Sequence, residues 1–282
     1  MRKKYLELLK KSLLNEIYLE NELRIFCLAE GKLKKKWSLN SRNVDFDKLH
    51  HIHKYFPEEL KSFKTNRLEG QLLEVGSKHL VYADTMIGRK RLNNIEYCLR
   101  TILEEKTPGD VIECGVWKGG AAIFMKAYLD TWQAHDRVVW LADSFDGVPV
   151  STMIQDKHTD LSKNAFPGLA IPKDDVINNF IKYDVSLKGV QFLEGWFKDS
   201  LPKAPINQLA LLRLDGDLYE STMDVLHSLY AKLSPGGFVI IDDYKALPQC
   251  EDAIHEFRSK NNVSEPIHKI DTMAVYWRKE TR

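Results

Sequence analysis

Two short apolar runs, each followed at once by two aspartates, constrain this chain more than any other feature. The runs are residues 209–214 and 238–241, and the aspartates that follow them are Asp215, Asp217, Asp242 and Asp243. Between the runs, residues 219–232 have the apolar periodicity of an amphipathic helix, which the sequence Ser234-Pro235-Gly236-Gly237 closes. Residues 211–244 therefore predict a strand, a crossover helix and a second, parallel strand.

The four aspartates are expected to meet at one edge of the predicted sheet, because the carboxyl ends of parallel strands open into the same crevice. Crowded carboxylates raise one another's pKa or bind a cation, and oxygen ligands suit Mg²⁺, Ca²⁺ or Mn²⁺. Aspartates at strand ends also commonly cap helices. The repetition of the acidic pair one crossover later favours the cation site over the cap.

The length of 282 residues allows one large α/β domain or one domain with an appendage, and two equal domains are less expected. The 41 lysines and arginines nearly balance the 40 aspartates and glutamates, so the charge does not indicate a nucleic-acid or membrane partner. No apolar run reaches the roughly 18–20 residues of a membrane span, and no cleavable signal opens the chain, so we expect a cytoplasmic protein. The cysteines lack CxxC spacing and are expected to be reduced and buried: Cys27, Cys98, Cys114 and Cys250.

Residues 1–80 are predicted to form a helical extension. The apolar residues of its first helix recur at spacings of three and four, at Leu6, Leu9, Leu13 and Ile17. The basic run 32–36 is expected to be a solvated surface. Three histidines further on lack the spacing of a zinc site: His50, His51 and His53. Docking, assembly into a homodimer or larger oligomer, and covering of the acceptor are the roles expected of this extension.

A second group of signals predicts a site for an adenosine ligand. The apolar strand 110–114 carries Glu113 and runs into a GxxxGG turn that begins at Gly115, and such a turn lets a ligand approach the backbone. The next strand, 137–142, ends at Asp143, about 20 to 30 residues beyond the turn, where a carboxylate can accept both ribose hydroxyls. The turn lacks the GxGxxG spacing of a dinucleotide-binding domain.

The connection 148–188 is long and polar, and connections of this length within a domain are usually lids or binding loops. We expect contacts with the acceptor there. A third strand, 189–194, runs into Trp196 and Phe197, which are placed to flank an adenine ring, although an aromatic pair is more often part of a core. The remaining segments predict a helix and a closing pair of strands, at 250–260, 267–270 and 273–277.

Six segments together resemble the macrocin O-methyltransferase family, whose members methylate sugar hydroxyls of macrolide and aminocoumarin antibiotics. They are YLELLKKSLLNEIY, TMIGRKRLNN, GDVIECGVWKGGAAIFMKAYL, ADSFDGVP, GWFKDSLP and LRLDGDLYESTMDVLHSLYAKLSPGGFVIIDDY. The resemblance covers most of residues 84–279, with a shorter match at 5–18, whereas residues 22–79 match none of these segments.

The resemblance implies a class I, S-adenosylmethionine-dependent methyltransferase domain over residues 81–282. Its α/β fold has a Rossmann-like sheet, mostly parallel with a terminal antiparallel strand. The resemblance also implies a magnesium site and a general base, with Asp215, Asp242 and Asp243 as the ligands and Asp217 as the base. The residues expected at the cofactor are Thr85, Met86, Glu113, Gly115, Asp143 and Ser144, together with the aromatic Trp196 and Phe197.

The expected function is methyl transfer from S-adenosylmethionine to a sugar hydroxyl of a glycosylated small molecule. A metal-dependent O-methyltransferase of a small phenol or catechol is the alternative within the same chemistry. Two other classes are a nicotinamide-dependent oxidoreductase, which the lack of GxGxxG disfavours, and a non-catalytic adenosine-binding protein, which the four aspartates disfavour.

Overall fold

The computed structural model describes residues 1–34, 44–69 and 82–280, which form two units. The first unit comprises Met1 and Lys3–Lys90, and the second comprises Arg2 and Arg91–Arg282. The boundary expected at residue 80 and the end of the basic run 32–36 lie outside the described residues. The division into an extension and a methyltransferase domain at that position therefore stays a prediction.

The described residues of the first unit form helices up to residue 69. These are α1 (Arg2–Leu13), α2 (Leu19–Ala29), α3 (Phe46–His50), α4 (Ile52–Tyr55) and α5 (Pro57–Glu69). The periodicity predicted for the first helix is confirmed as far as Leu13, but Asn15 has a left-handed φ of 54° and Ile17 is exposed in the turn that follows. A small apolar core includes Leu23 and Ile52, which are buried.

The second unit is built on a seven-stranded sheet with the order β3-β2-β1-β4-β5-β7-β6. The strands are β1 (Asp110–Cys114), β2 (Val139–Asp143), β3 (Val190–Glu194), β4 (Leu209–Leu214), β5 (Leu233–Ile241), β6 (His268–Lys269) and β7 (Val275–Arg278). The pairings among the first five strands are parallel, and β7 is antiparallel to both β5 and β6. The predicted sheet, mostly parallel with a terminal antiparallel strand, is confirmed.

Helices precede and connect these strands, in the alternation that the sequence predicts. They are α6 (Arg89–Glu104), α7 (Gly120–Thr131), α8 (Lys173–Lys182), α9 (Phe197–Ser200), α10 (Tyr219–Leu229) and α11 (Pro248–Lys260). No helix within the described ranges is both long and apolar enough to cross a membrane. The four cysteines are buried and free, as their spacing predicts.

The two faces of the central strands differ, because one joins an apolar core and the other carries charged side chains. Side chains alternate between the faces of a strand, and alternate residues such as Cys114, Leu214 and Ile241 join one apolar core. Glu113 and Arg213, which are register partners on β1 and β4, therefore project to the opposite face. Both are buried, so the centre of the sheet carries an ionic group on one side only.

The sequence Ser234-Pro235-Gly236-Gly237 is not the turn that the composition suggests, because it lies within β5. The register of β4 against β5 shifts between Leu209 and Leu211, so residues 234–237 form an irregular segment of β5. A Cβ atom on Gly237 would lie 2.8 Å from the carbonyl oxygen of Ala210. Glycine is required there by the close approach of β4 rather than by a turn.

Candidate active site

The carboxyl ends of the central strands hold the predicted acidic residues at neighbouring positions. In each case the first residue after a strand donates its N–H to a carbonyl of the adjacent strand: Gly115 to Ala142 at 2.9 Å, Asp215 to Cys114 at 2.8 Å, and Asp242 to Leu214 at 2.9 Å. The hydrogen-bonding ladder therefore extends one residue beyond the strands. This extension fixes the backbone from which the acidic side chains project.

Three of the four aspartates converge. One oxygen from each of Asp215, Asp242 and Asp243 lies within 4.8 Å of the other two. Burial raises the pKa of Asp215 and of Asp243, and neighbouring carboxylates raise both further. Three hard oxygen donors at this separation fit a divalent cation of the Mg²⁺ type, which would offset their mutual repulsion.

Asp217 lies in the turn between β4 and α10, beside this group. Its φ of 61° is in the left-handed region, which aspartate tolerates better than most residues. Its N–H donates to Asp243 Oδ2 at 3.2 Å. Burial, followed by the charges of Asp215 and Asp242, raises the pKa of Asp217 to about 7. A carboxylate with a pKa near neutrality can accept a proton at physiological pH.

A buried arginine on β4 connects the carboxylates. Arg213 is 1% exposed and donates to Glu113 Oε1 at 2.6 Å, to Asp215 Oδ2 at 2.9 Å and to Asp242 Oδ1 at 2.6 Å. Burial opposes its charge, but these carboxylates outweigh burial and raise the pKa of Arg213. Arg213 is not among the predicted site residues, although a charged residue inside an apolar strand is a signal that a buried partner exists.

A second buried arginine, Arg91 on α6, was also missed. It forms an ion pair with Asp242 Oδ2 and donates to Asp271 Oδ2 at 2.7 Å. Asp271 Oδ1 in turn accepts the N–H groups of Met273 and Ala274, both at 2.8 Å. Both oxygens of Asp242 therefore accept a hydrogen bond from an arginine, so its carboxylate has a defined orientation.

Glu113 belongs to this ionic network. Its side chain is buried, and burial raises its pKa to about 8 even though the charge of Arg213 acts in the opposite direction. The contact with the methyl donor that the resemblance implies for Glu113 stays a prediction. The contact that the structure shows is the ion pair with Arg213.

Asp143 joins the two segments from which an adenosine site was predicted. Its Oδ2 accepts the N–H of Val116, in the glycine turn after β1, at 2.7 Å, and its Oδ1 accepts the N–H of Phe145 at 2.8 Å. Burial raises the pKa of Asp143 against the opposing effect of these donors. Ser144 Oγ donates to the carbonyl of Gly147 at 2.6 Å, which closes the turn after β2.

Gly115 is the residue at which this edge of the sheet is most tightly packed. It has a φ of 91°, and a Cβ atom there would lie 1.7 Å from the carbonyl oxygen of Asp215. No side chain fits without moving the backbone of a proposed cation ligand. The glycine predicted to admit a cofactor is thus also needed for the contact between β1 and β4.

The aromatic pair begins α9, and the backbone links it to the same edge. Gly195, directly before Trp196, donates its N–H to the carbonyl of Asp143 at 2.9 Å. Trp196 is half-buried, and Phe197 packs against the apolar core. Their place beside an adenine ring stays a prediction.

The two remaining residues of the predicted cofactor site belong to the first unit. Thr85 is buried there and Met86 is half-buried, in the segment that precedes α6. Their contact with the methyl donor also stays a prediction.

The pattern of the whole chain identifies its family. The family model described as macrocin-O-methyltransferase (TylF) matches residues 2–279. The chain belongs to the macrocin O-methyltransferase family. The match includes residues 22–79, so the region that resembles none of the six segments is nevertheless part of the family pattern.

Two characterised relatives are similar over most of their own length. The first is the 8-demethyl-8-(2,3-dimethoxy-alpha-L-rhamnosyl)-tetracenomycin-C 4'-O-methyltransferase of Streptomyces olivaceus, 49% identical over 200 residues, which are 70% of this chain and 76% of that protein. The second is the mycinamicin III 3''-O-methyltransferase of Micromonospora griseorubida, 46% identical over 210 residues, 73% of this chain and 82% of that protein. The enzyme class, O-methyltransferase, is therefore confirmed.

Solved structures confirm the class I methyltransferase fold. The O-methyltransferase NovP superposes with a TM-score of 0.79 at 36% identity, over 100% of both chains. The calicheamicin methyltransferase CalS11 shares the fold at 17% identity, with a TM-score of 0.57 over 94% of this chain and 92% of that one.

The packing at Gly115 predicts that Gly115→Ala lowers the free energy of unfolding by at least about 2 kcal/mol, because the new methyl group must displace the Asp215 carbonyl at a positive φ. Gly168→Ala is the matched control, since a Cβ atom there has no neighbour within 4 Å. Urea unfolding of both variants measures the difference. Equal stability of the two variants would show that the β1–β4 contact adapts without cost.

The arginine network predicts that Arg91→Met destabilises the protein by about 3 kcal/mol, because two buried carboxylates lose a shared partner. Lys163→Met is the control, because Lys163 and Asp146 form an exposed pair whose loss costs less than about 1 kcal/mol. Unfolding is measured in the presence of a chelator, so that bound cation does not compensate. A change no larger than that of the control would show that Arg91 does not hold this edge.

Proposed function

We propose that this enzyme transfers the methyl group of S-adenosylmethionine to a sugar hydroxyl of a glycosylated natural product. The observation that carries the proposal is the convergence of Asp215, Asp242 and Asp243 beside Asp217. The acceptor class is supported by the relatives, which are named for methylating tetracenomycin and mycinamicin glycosides.

The methyl donor would be held at the ends of β1 and β2. Asp143, whose carboxylate already accepts the N–H groups of Val116 and Phe145, is the proposed partner of the ribose hydroxyls. The turn at Gly115 exposes backbone to the ligand, and Ser144 and the aromatic Trp196 and Phe197 complete the proposed pocket on this side. Thr85, Met86 and Glu113 are proposed on the family resemblance alone.

The cation would be held by Asp215, Asp242 and Asp243, whose donor set fits Mg²⁺. When bound, it supplies a Lewis acid that lowers the pKa of the acceptor hydroxyl. Asp217 would accept the proton of that hydroxyl as the oxygen forms its bond to the methyl carbon, while the bond from that carbon to the sulfonium sulfur breaks and a neutral thioether leaves. Proton transfer by a positioned base is commonly worth about 10² to 10⁴ in rate. Arg213 and Arg91 keep the carboxylates oriented throughout.

The oxidoreductase and the non-catalytic adenosine-binding protein are set aside, because the chain belongs to a family of O-methyltransferases. A phenol or catechol acceptor remains the second candidate, since the same cation chemistry serves it. The homodimer or larger assembly, the cytoplasmic location and the absence of nucleic-acid and membrane partners stay predictions.

The assignment of the base predicts that Asp217→Asn lowers kcat by about 10² to 10⁴, because the amide has the same shape but cannot accept the proton. Calorimetry with S-adenosylmethionine and with Mg²⁺ is expected to show both ligands still bound. Asp146→Asn, which changes an exposed aspartate, is the control and is expected to keep full activity. Wild-type turnover of the Asp217 variant would remove this residue from the mechanism.

The acceptor and the cation are tested together by a methyl-transfer screen with macrolide glycosides, aminocoumarin glycosides and catechol. We expect methylation of a sugar hydroxyl, its loss in excess chelator and its recovery on addition of Mg²⁺. Full activity in excess chelator would show that the aspartates are not a catalytic metal site. Methylation of catechol alone would replace the proposed acceptor by the second candidate.

A further inference from the structure

In the described part of the second unit, three exposed apolar side chains lie close to one another in sequence. Val150, Met153 and Ile154 are 73%, 38% and 68% exposed, within five consecutive residues. The other large apolar side chains exposed in this part of the chain are far from one another in sequence: Tyr97, Trp132 and Ile181. Scattered apolar residues on a surface are ordinary, whereas a group of them indicates a binding surface.

The loop that carries this group is fixed at both ends. Val148 and Ser162 form a parallel β-bridge that closes the loop, as in the compact surface loops that pack on their own side chains. The exposed apolar residues between these two positions therefore lie on a closed loop rather than on an open-ended segment. The long connection predicted from the sequence is thus ordered at this point.

The middle of the loop is attached to α10. Asp156 is buried, and its carboxylate accepts the N–H groups of Tyr219 at 2.8 Å and Glu220 at 3.1 Å. These are the first two residues of the helix, whose N-cap Leu218 has no side-chain oxygen with which to satisfy them. Glu220 returns the contact, since its Oε2 accepts the N–H of Thr152 at 3.1 Å.

This attachment puts the loop next to the proposed base. The helix begins at Tyr219, two residues beyond Asp217, so Asp156 contacts the backbone just after the turn that carries the base. A sugar whose hydroxyl reaches Asp217 must project the rest of the acceptor away from the sheet edge. The loop 148–162 is hydrogen-bonded to the helix at that point.

We propose that Val150, Met153 and Ile154 bind the apolar aglycone of the glycosylated acceptor. The inference rests on the proposed function and extends it from the reacting sugar to the part of the acceptor that does not react. Three side chains on a short loop suit a small rigid ligand, whereas a stable protein–protein interface needs about 800 Å² from each partner. The two β-branched side chains, on an anchored loop, lose little freedom on binding.

The test compares Val150→Ser/Ile154→Ser with wild type, using the glycoside found in the acceptor screen, its aglycone alone, and the methyl glycoside of the same sugar. We expect the ratio of kcat/KM for the full glycoside to kcat/KM for the methyl glycoside to fall at least tenfold. Inhibition by the free aglycone is expected to weaken by a similar factor. Both positions are exposed, so the melting temperature is expected to stay that of wild type.

Ile181→Ser is the matched control, because Ile181 is 66% exposed on α8 and lies outside the loop. It is expected to change neither the ratio nor the inhibition. An unchanged ratio in the double variant, with active wild type, would overturn the aglycone inference alone. A wild-type enzyme that methylates no glycoside would overturn the proposed function instead. If the double variant changes the molecular mass measured by light scattering but leaves the kcat/KM ratio unchanged, Val150, Met153 and Ile154 would be assigned to contacts between copies of the chain.

Discussion

The ion pairs of Arg213 are the interaction on which the candidate site depends. A guanidinium in the centre of a sheet is costly unless carboxylates compensate its charge, and here they come from β1, from the end of β4 and from the end of β5. The same contacts bring together carboxylates that would otherwise repel one another. Arg213 therefore holds a crowded group of acids in a fixed arrangement. The turns that carry Gly115 and Asp217 follow the strands on which Glu113 and Arg213 lie.

The carboxylates of this network outnumber its arginines, and this excess of negative charge is consistent with a cation site. Two arginines face six carboxylates, which are Glu113, Asp215, Asp217, Asp242, Asp243 and Asp271. Burial raises the pKa of Asp217 and of Asp243, and the neighbouring carboxylates raise both further. Complete compensation by arginine would remove the affinity for a divalent ion, whereas no compensation would oppose folding.

The sequence predicts the sheet and the convergence of aspartates well because both follow from local patterns: apolar runs form the strands, and parallel strands end at one edge. It does not predict the arginine network, since Arg91 and Asp271 are 180 residues apart and nothing local relates them. The assignment of residues 234–237 to a turn failed for a similar reason. Glycine is typical of turns, and the approach of β4 that actually requires Gly237 is a tertiary contact.

The cap that Asp156 provides to α10 makes the loop 148–162 a separable part of the enzyme. Its attachment uses the carboxylates of Asp156 and Glu220, the hydroxyl of Ser151 and one β-bridge, while Val150 and Ile154 take no part in it. The tip can therefore diverge without disturbing the sheet or the aspartates. A loop exchanged between relatives together with its capping aspartate would carry its own acceptor preference, and evolution could retarget the enzyme to a new scaffold by altering a few exposed positions.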